Sequence, residues 1–154
     1  MNVRRATFYD AGSILRILTK MHSESEVFKH FPVDVPKAAM MITSVLTRGL
    51  SFVAETDEDG VIGSIGGMVS PGLWYSSQPF LGDLWFYVDS AFRQNSAAIE
   101  LIDIFLEEAK KHNLPVQLGH VAGSDLDRKD KFFERRGLVK MGSIYLSAPE
   151  SSNG

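Results

Sequence analysis

Val88-Asp89-Ser90-Ala91-Phe92-Arg93-Gln94-Asn95-Ser96-Ala97-Ala98 is the stretch whose reading decides the fold. Before it, residues 81–89 are dense in aromatic and branched side chains and read as a central strand. After it, residues 96–112 place Ala98, Leu101, Ile102, Phe105 and Ala109 at helical spacing. Glu100, Glu107, Glu108 and Lys111 fall between them, which predicts a long helix with one buried stripe. A strand that runs directly into a helix start leaves main-chain N–H groups unpaired at the positive end of the helix dipole. Small residues such as Ser96, Ala97 and Ala98 let a phosphate approach that main chain without a basic side chain. The competing reading of the same residues is an ordinary helix start capped by Ser96.

Working outward, strands and helices alternate with no long linker, repeat or low-complexity segment. Residues 2–8 read as a strand, and Asp10 as the N-cap of a first helix carrying Ile14, Leu15, Leu18 and Met21 on one face. Residues 22–33 read as irregular. Pro36 suits the first turn of a second helix whose apolar positions include Ala38, Met41, Ile42 and Val45 and which stops at Gly49. Residues 50–56 and 61–69 read as a hairpin joined by Asp57-Glu58-Asp59-Gly60. A strand at 115–121, a helix at 125–136 and a strand at 138–147 complete a single domain over residues 1–148. Residues 149–154 are expected to be a disordered tail.

Bulk properties narrow the function. With 154 residues the chain can bury about two-thirds of its unfolded surface. There is no cysteine, which removes disulfides, thiolate nucleophiles and cysteine-based zinc sites together. A formal net charge of −3 argues against nucleic acid as partner. No apolar run is long enough to span a bilayer, and no apolar stretch follows Arg4-Arg5, so no membrane partner is expected and the protein reads as cytoplasmic. A homodimer is left open, and no metal-ligand spacing is found. Gly63-x-x-Gly66-Gly67 opens no helix and lacks the context of a dinucleotide fingerprint. Those glycines read as a bulge or a close backbone approach, leaving room for a ligand.

Three segments together resemble the GNAT superfamily of acyl-CoA-dependent N-acyltransferases. Arg93 to Ala98 is similar to the Arg/Gln-x-x-Gly-x-Gly/Ala turn, with Ser96 where the first glycine is usual. Arg4-Arg5-Ala6-Thr7 with Asp10 resembles the opening strand and cap, and Phe132-Phe133-Glu134-Arg135-Arg136-Gly137-Leu138 the late Phe-Tyr-Glu-x-x-Gly-Phe segment. The resemblance covers about residues 3–147. It implies an α/β fold with a mixed, mostly antiparallel sheet flanked by helices, splayed between strands 81–89 and 115–121 to admit acetyl-CoA as acyl donor. It also implies transfer of acetyl to a small-molecule or peptide amine.

The cofactor-binding residues so implied are Phe86, Tyr87 and Val88 on the strand and Arg93, Gln94, Asn95, Ser96, Ala97 and Ala98 on the turn. Asp83 is the candidate general base, since burial among Leu81, Leu84, Trp85 and Phe86 would raise its pKa. A solvent-facing strand aspartate is the plainer reading. His120 is a second, weaker candidate base. His22 and His30, with Glu24, Glu26, Phe28 and Phe31, lie in the segment that would border the acceptor, or form a solvated loop.

Two departures stand out. Leu126 occupies a position often held by asparagine, and Phe133 the place of the tyrosine that often protonates the departing thiolate. Phenylalanine has no proton to give, which leaves Tyr75, Tyr87 and Tyr145 as other donors. It also keeps open a catalytically silent acyl-CoA binder, or a partner-binding module with the same fold.

Overall fold

The computed structural model describes residues 1–122 and 124–147, so the expected tail at 149–154 lies outside the described residues. Five strands form one sheet in the order β1 (Asn2–Arg5), β2 (Leu50–Thr56), β3 (Gly60–Ser70), β4 (Phe80–Val88) and β5 (Val116–Gln117). The first four pair antiparallel and β5 runs parallel to β4. Helices α1 (Ala11–Glu24) and α2 (Val35–Arg48) cover one face, and α3 (Ala97–Lys111) the other; α4 (Leu126–Arg135) lies beyond β5 in the chain. The α/β class and the mostly antiparallel sheet agree with the sequence reading.

Local chemistry explains most boundaries. The Asp34 carboxylate accepts from the Lys37 N–H at 3.0 Å, and Pro36 sits in the first turn of α2, where a missing donor costs nothing. Gly60 closes the β2–β3 hairpin at φ +70°, a backbone state that side chains disfavour. Asp10 departs from its expected role. Its carboxylate caps backwards, accepting from the Thr7 N–H at 2.7 Å and from both Arg4 terminal nitrogens at 2.8 and 2.9 Å. Arg4 also grips Glu55 on the neighbouring strand, so the motif ties β1 to β2 and to the start of α1.

Each face of the sheet has its own core. Phe52, Ile65, Leu81, Leu101 and Phe105 pack on the α3 side, and Ile14, Ile17, Ile42, Val45 and Trp85 on the α1/α2 side. Side chains of this size contribute roughly 1.5–3 kcal/mol each on full burial. Ile17, rather than the expected Leu18, is fully buried on α1, and Ala97, rather than Ala98, heads the buried stripe of α3.

The register of β3 against β4 steps from Gly66–Trp85 to Gly67–Asp83, so Leu84 is an extra residue on β4. A bulge of this kind exchanges the faces beyond it. Leu81 therefore packs toward α3, while Trp85 and Tyr87 pack toward α1 and α2.

Two expectations fail at the far edge. The strand expected over 115–121 pairs with β4 only at Leu81–Val116 and Gly82–Gln117. The next usable donor, the Gly119 N–H, is spent on the Asp83 side chain at 3.0 Å rather than on a β4 carbonyl. Residues 138–147 form no strand. A strand needs a partner ladder, and β5 is too short to offer one.

Candidate active site

Where β4 and β5 part, a cavity of about 560 Å³ opens between them, walled by the end of α1, the start of α3 and one side of α4. Asp83, Phe86, Tyr87, Val88, Arg93, Asn95 and Ala98 all line it. Gln94, Ser96 and Ala97 do not. Gln94 is exposed, Ala97 is buried beneath the helix, and the Ser96 hydroxyl turns to Glu100.

Asp83 bridges the opening. Its carboxylate accepts the Gly119 N–H across the gap and is half-buried. Burial pushes its pKa up to about 6, against the lowering effect of that hydrogen bond. Above that pH it is an ionised carboxylate in a poorly hydrated place, as a general base should be.

Main-chain donors face the same gap. The Asp89 N–H is spent on Ile62 O at 2.8 Å, toward β3. Alternation along the strand then turns the main-chain groups of Val88 and Phe86 toward the gap, where β5 no longer pairs with them. The turn that follows is held by the Asp89 carboxylate, which accepts from the Ala91 N–H at 3.0 Å and from Lys20 at 2.7 Å. At the start of α3, Asn95 Oδ1 accepts from the Ala97 N–H at 2.9 Å. Among the described residues, the N–H groups of Ala98 and Ile99 are the free donors of that first turn. Asn95, not Ser96, therefore supplies the side-chain cap.

The mouth of the cavity is cationic. Arg93 donates from Nε to Val88 O at 3.2 Å and lies over the Tyr87 ring at 5.7 Å. Arg128 and Lys129 of α4 line the same space, and burial followed by the nearby Arg93 charge lowers the Lys129 pKa. The sequence reading missed both. A charge run on a short helix looks like a solvated face until α4 is placed beside α3.

The wall toward α1 is acidic and apolar, with Met21, Glu24 and Phe28 lining the cavity. Glu24 accepts from Tyr87 Oη at 2.9 Å and from Ser90 Oγ at 3.1 Å, and Arg93 stands 3.6 Å away. Burial, then Glu24, pushes the Tyr87 phenol pKa up. Of the tyrosines considered as donors, Tyr75 and Tyr145 are exposed away from the cavity. His22, Glu26, His30 and Phe31 do not line it either, and His22 Nε2 sits 2.7 Å from Phe31 O. His120 and Phe133 both do.

The room expected above the glycines of β3 is already filled. A Cβ on Gly66 would lie 2.3 Å from the Trp85 ring, and one on Gly67 2.3 Å from Gly82 O. Those glycines admit protein, not ligand.

No protein-family model matches the sequence, and no curated protein matches it. Solved structures do. The chain is similar to AAC(6')-Iy in complex with the bisubstrate analogue CoA-S-monomethyl-acetylneamine, with TM-score 0.73 and 14% identity over 94% of this chain and 95% of that one. It is similar to the aminoglycoside 6'-N-acetyltransferase AAC(6')-IG from Acinetobacter haemolyticus, with TM-score 0.71 and 16% identity over 96% and 97%. It is also similar to a ribosomal-protein-alanine N-acetyltransferase from Brucella melitensis biovar Abortus, with TM-score 0.67 and 15% identity over 95% and 98%. Likeness at such identities speaks for architecture: the chain has the fold of the GNAT N-acetyltransferases.

Proposed function

We propose that the chain is a cytoplasmic N-acetyltransferase that moves an acetyl group from acetyl-CoA to a primary amine on a small molecule or peptide. The observation that carries this reading is the gap between β4 and β5, bridged by the Asp83 carboxylate and opening onto the first turn of α3. Acetyl-CoA would supply an activated thioester carbonyl. The residues present suit it in three ways. Free main-chain donors at Ala98 and Ile99, with Arg93, Arg128 and Lys129 around them, match a pyrophosphate. The unpaired edge of β4 at Phe86 and Val88 matches an extended arm with amide groups, and its N–H groups would polarise the thioester carbonyl. The half-buried Asp83 would take the proton from the incoming amine. Glu24 at the opposite wall suits a cationic acceptor.

A second reading, a silent acyl-CoA binder, is favoured by Phe133 alone, because that side chain lines the cavity without a hydroxyl. Two measurements separate the readings. Acetyl-CoA at 100 times its dissociation constant is expected to add about 2.7 kcal/mol of stability, seen as a rise in Tm. Free CoA is then expected to appear when a panel of primary amines is added. No thermal shift at millimolar acetyl-CoA would overturn both readings. A shift with no CoA release above hydrolysis across the panel would favour the binder.

A further inference from the structure

The Phe133 ring stacks on the imidazole of His120, with centroids 5.5 Å apart and planes 15° from parallel. His120 follows Gly119, whose N–H is held by Asp83, so the carboxylate and the imidazole stand on facing lips of the same gap. His120 Nε2 lies 2.6 Å from Asp130 Oδ1, and the other Asp130 oxygen accepts from Lys140 Nζ at 2.8 Å. A carboxylate at Nε2 keeps the hydrogen there, which leaves Nδ1 as the atom that gains or loses a proton. Among the described residues, Nδ1 is buried and has no hydrogen-bond partner. A buried polar atom without a partner is costly and uncommon.

We propose that the missing partner of His120 Nδ1 is the sulfur of the acyl donor, and that His120 gives the departing thiolate the proton Phe133 cannot supply. The inference rests on the reading of the site as an acetyl-CoA-dependent transferase. The acceptor nitrogen bonds to the thioester carbonyl carbon and yields one proton to Asp83. The carbon–sulfur bond breaks, its electron pair goes to sulfur, and the Nδ1 proton of the imidazolium follows it. Amide, CoA thiol and neutral His120 result. Asp83 then releases its proton to solvent and His120 takes one up, so amine and thioester have become amide and thiol. Asp130 and Lys140 act through the ring and are positioning residues.

The test is calorimetric titration of the wild-type chain and of His120→Asn with CoA and with desulfo-CoA, which lacks only the sulfur. Wild type is expected to bind CoA about tenfold more tightly than desulfo-CoA, in line with a charge-assisted contact. His120→Asn is expected to lose that preference while binding desulfo-CoA as the wild type does. In turnover, His120→Asn is expected to cut kcat by about 100-fold. Adding Phe133→Tyr to His120→Asn should then restore most of the rate. Equal wild-type affinity for the two ligands, or a kcat within twofold of wild type in folded His120→Asn, would overturn the proposal and leave the transferase reading intact. Failure of the wild type to bind either ligand would bring down both.

Discussion

Strand β4 has two neighbours, and it treats them differently. Against β3 it pairs at eight positions, from Gly63–Val88 to Ser70–Phe80, and the contact is so close that only glycine fits beneath Trp85. Trp85 Nε1 donates to Ser64 Oγ at 2.9 Å, and Ser64 Oγ donates to Phe52 O at 2.9 Å, both buried. Against β5 it pairs at two positions, and then a carboxylate takes the place of the ladder. One side is sealed by packing and the other is held open by a side chain. A ligand site needs both, because the closed half fixes the strand whose other edge lines the open gap.

The largest expected effect lies on the open side. Asp83→Asn keeps the Gly119 contact, since the amide oxygen still accepts, but it removes the proposed base. Acetyl transfer is expected to fall by roughly 10²–10⁴-fold with acetyl-CoA affinity preserved. Unchanged turnover with a true acceptor would remove Asp83 from the mechanism and leave the open edge with a structural role only.

Next comes the closed side. Gly66→Ala would put a Cβ 2.3 Å from the Trp85 ring and break the Trp85–Ser64–Phe52 chain of hydrogen bonds. A loss of about 3 kcal/mol is expected by urea denaturation. Gly119→Ala is the matched control, because a Cβ there meets nothing within 4 Å. It is expected to change stability by less than about 0.5 kcal/mol. Similar losses for the two variants would erase the distinction between the halves.

Asp83 also makes stability depend on pH. Its pKa is about 6 in the folded chain and 3.8 in the ordinary state. Between those values the folded protein holds a proton that the unfolded chain releases, so this group's contribution is full below about pH 4 and is lost as pH rises through 6. For a half-buried carboxylate the loss is about 2 kcal/mol. Asp83→Asn removes it, so the variant is expected to gain about 2 kcal/mol over wild type between pH 4 and pH 8. A stability difference that stays constant across that range would show that the carboxylate is not strained by its position.

Legibility in the sequence followed the same division. The sealed half announces itself, since apolar periodicity in β2, β3, α1, α2 and α3 reports burial directly, with single-position departures at Ile17, Ala97 and Met41, the last of which is exposed on α2. The open half does not. Nothing in Val116 to Val121 shows that the Gly119 N–H leaves the ladder for Asp83, and so the strand was expected to run too far. The apolar residues of 138–147 look like a strand because period-two patterning cannot show whether a partner exists. Gly66 and Gly67 showed that something comes close, but not that Trp85 and the Gly82 main chain already fill the space. Arg93 and Asp83, which line the cavity, could be singled out as individual residues. Arg128, Lys129 and the His120–Asp130 contact depend on where α4 lies, which local sequence does not encode.

The smallest expected effect concerns the mouth of the open half. Two residues competed to cap α3, and only Asn95 reaches an N–H, that of Ala97 at 2.9 Å, while the Ser96 hydroxyl bonds to Glu100. Asn95→Ala is therefore expected to cost about 1 kcal/mol in the free protein, and Ser96→Ala a few tenths. The ligand reverses the sense of the first change. A phosphate on the free Ala98 and Ile99 N–H groups would itself cap the start of α3, so losing the Asn95 cap costs the bound state less than the free one. The rise in Tm on adding acetyl-CoA is expected to be larger for Asn95→Ala than for wild type, with Ser96→Ala matching wild type. The opposite order, a larger increment for Ser96→Ala, would mean that the phosphate meets the Ser96 side of the turn. Equal increments for all three chains would move the pyrophosphate off the helix start and onto Arg93, Arg128 and Lys129.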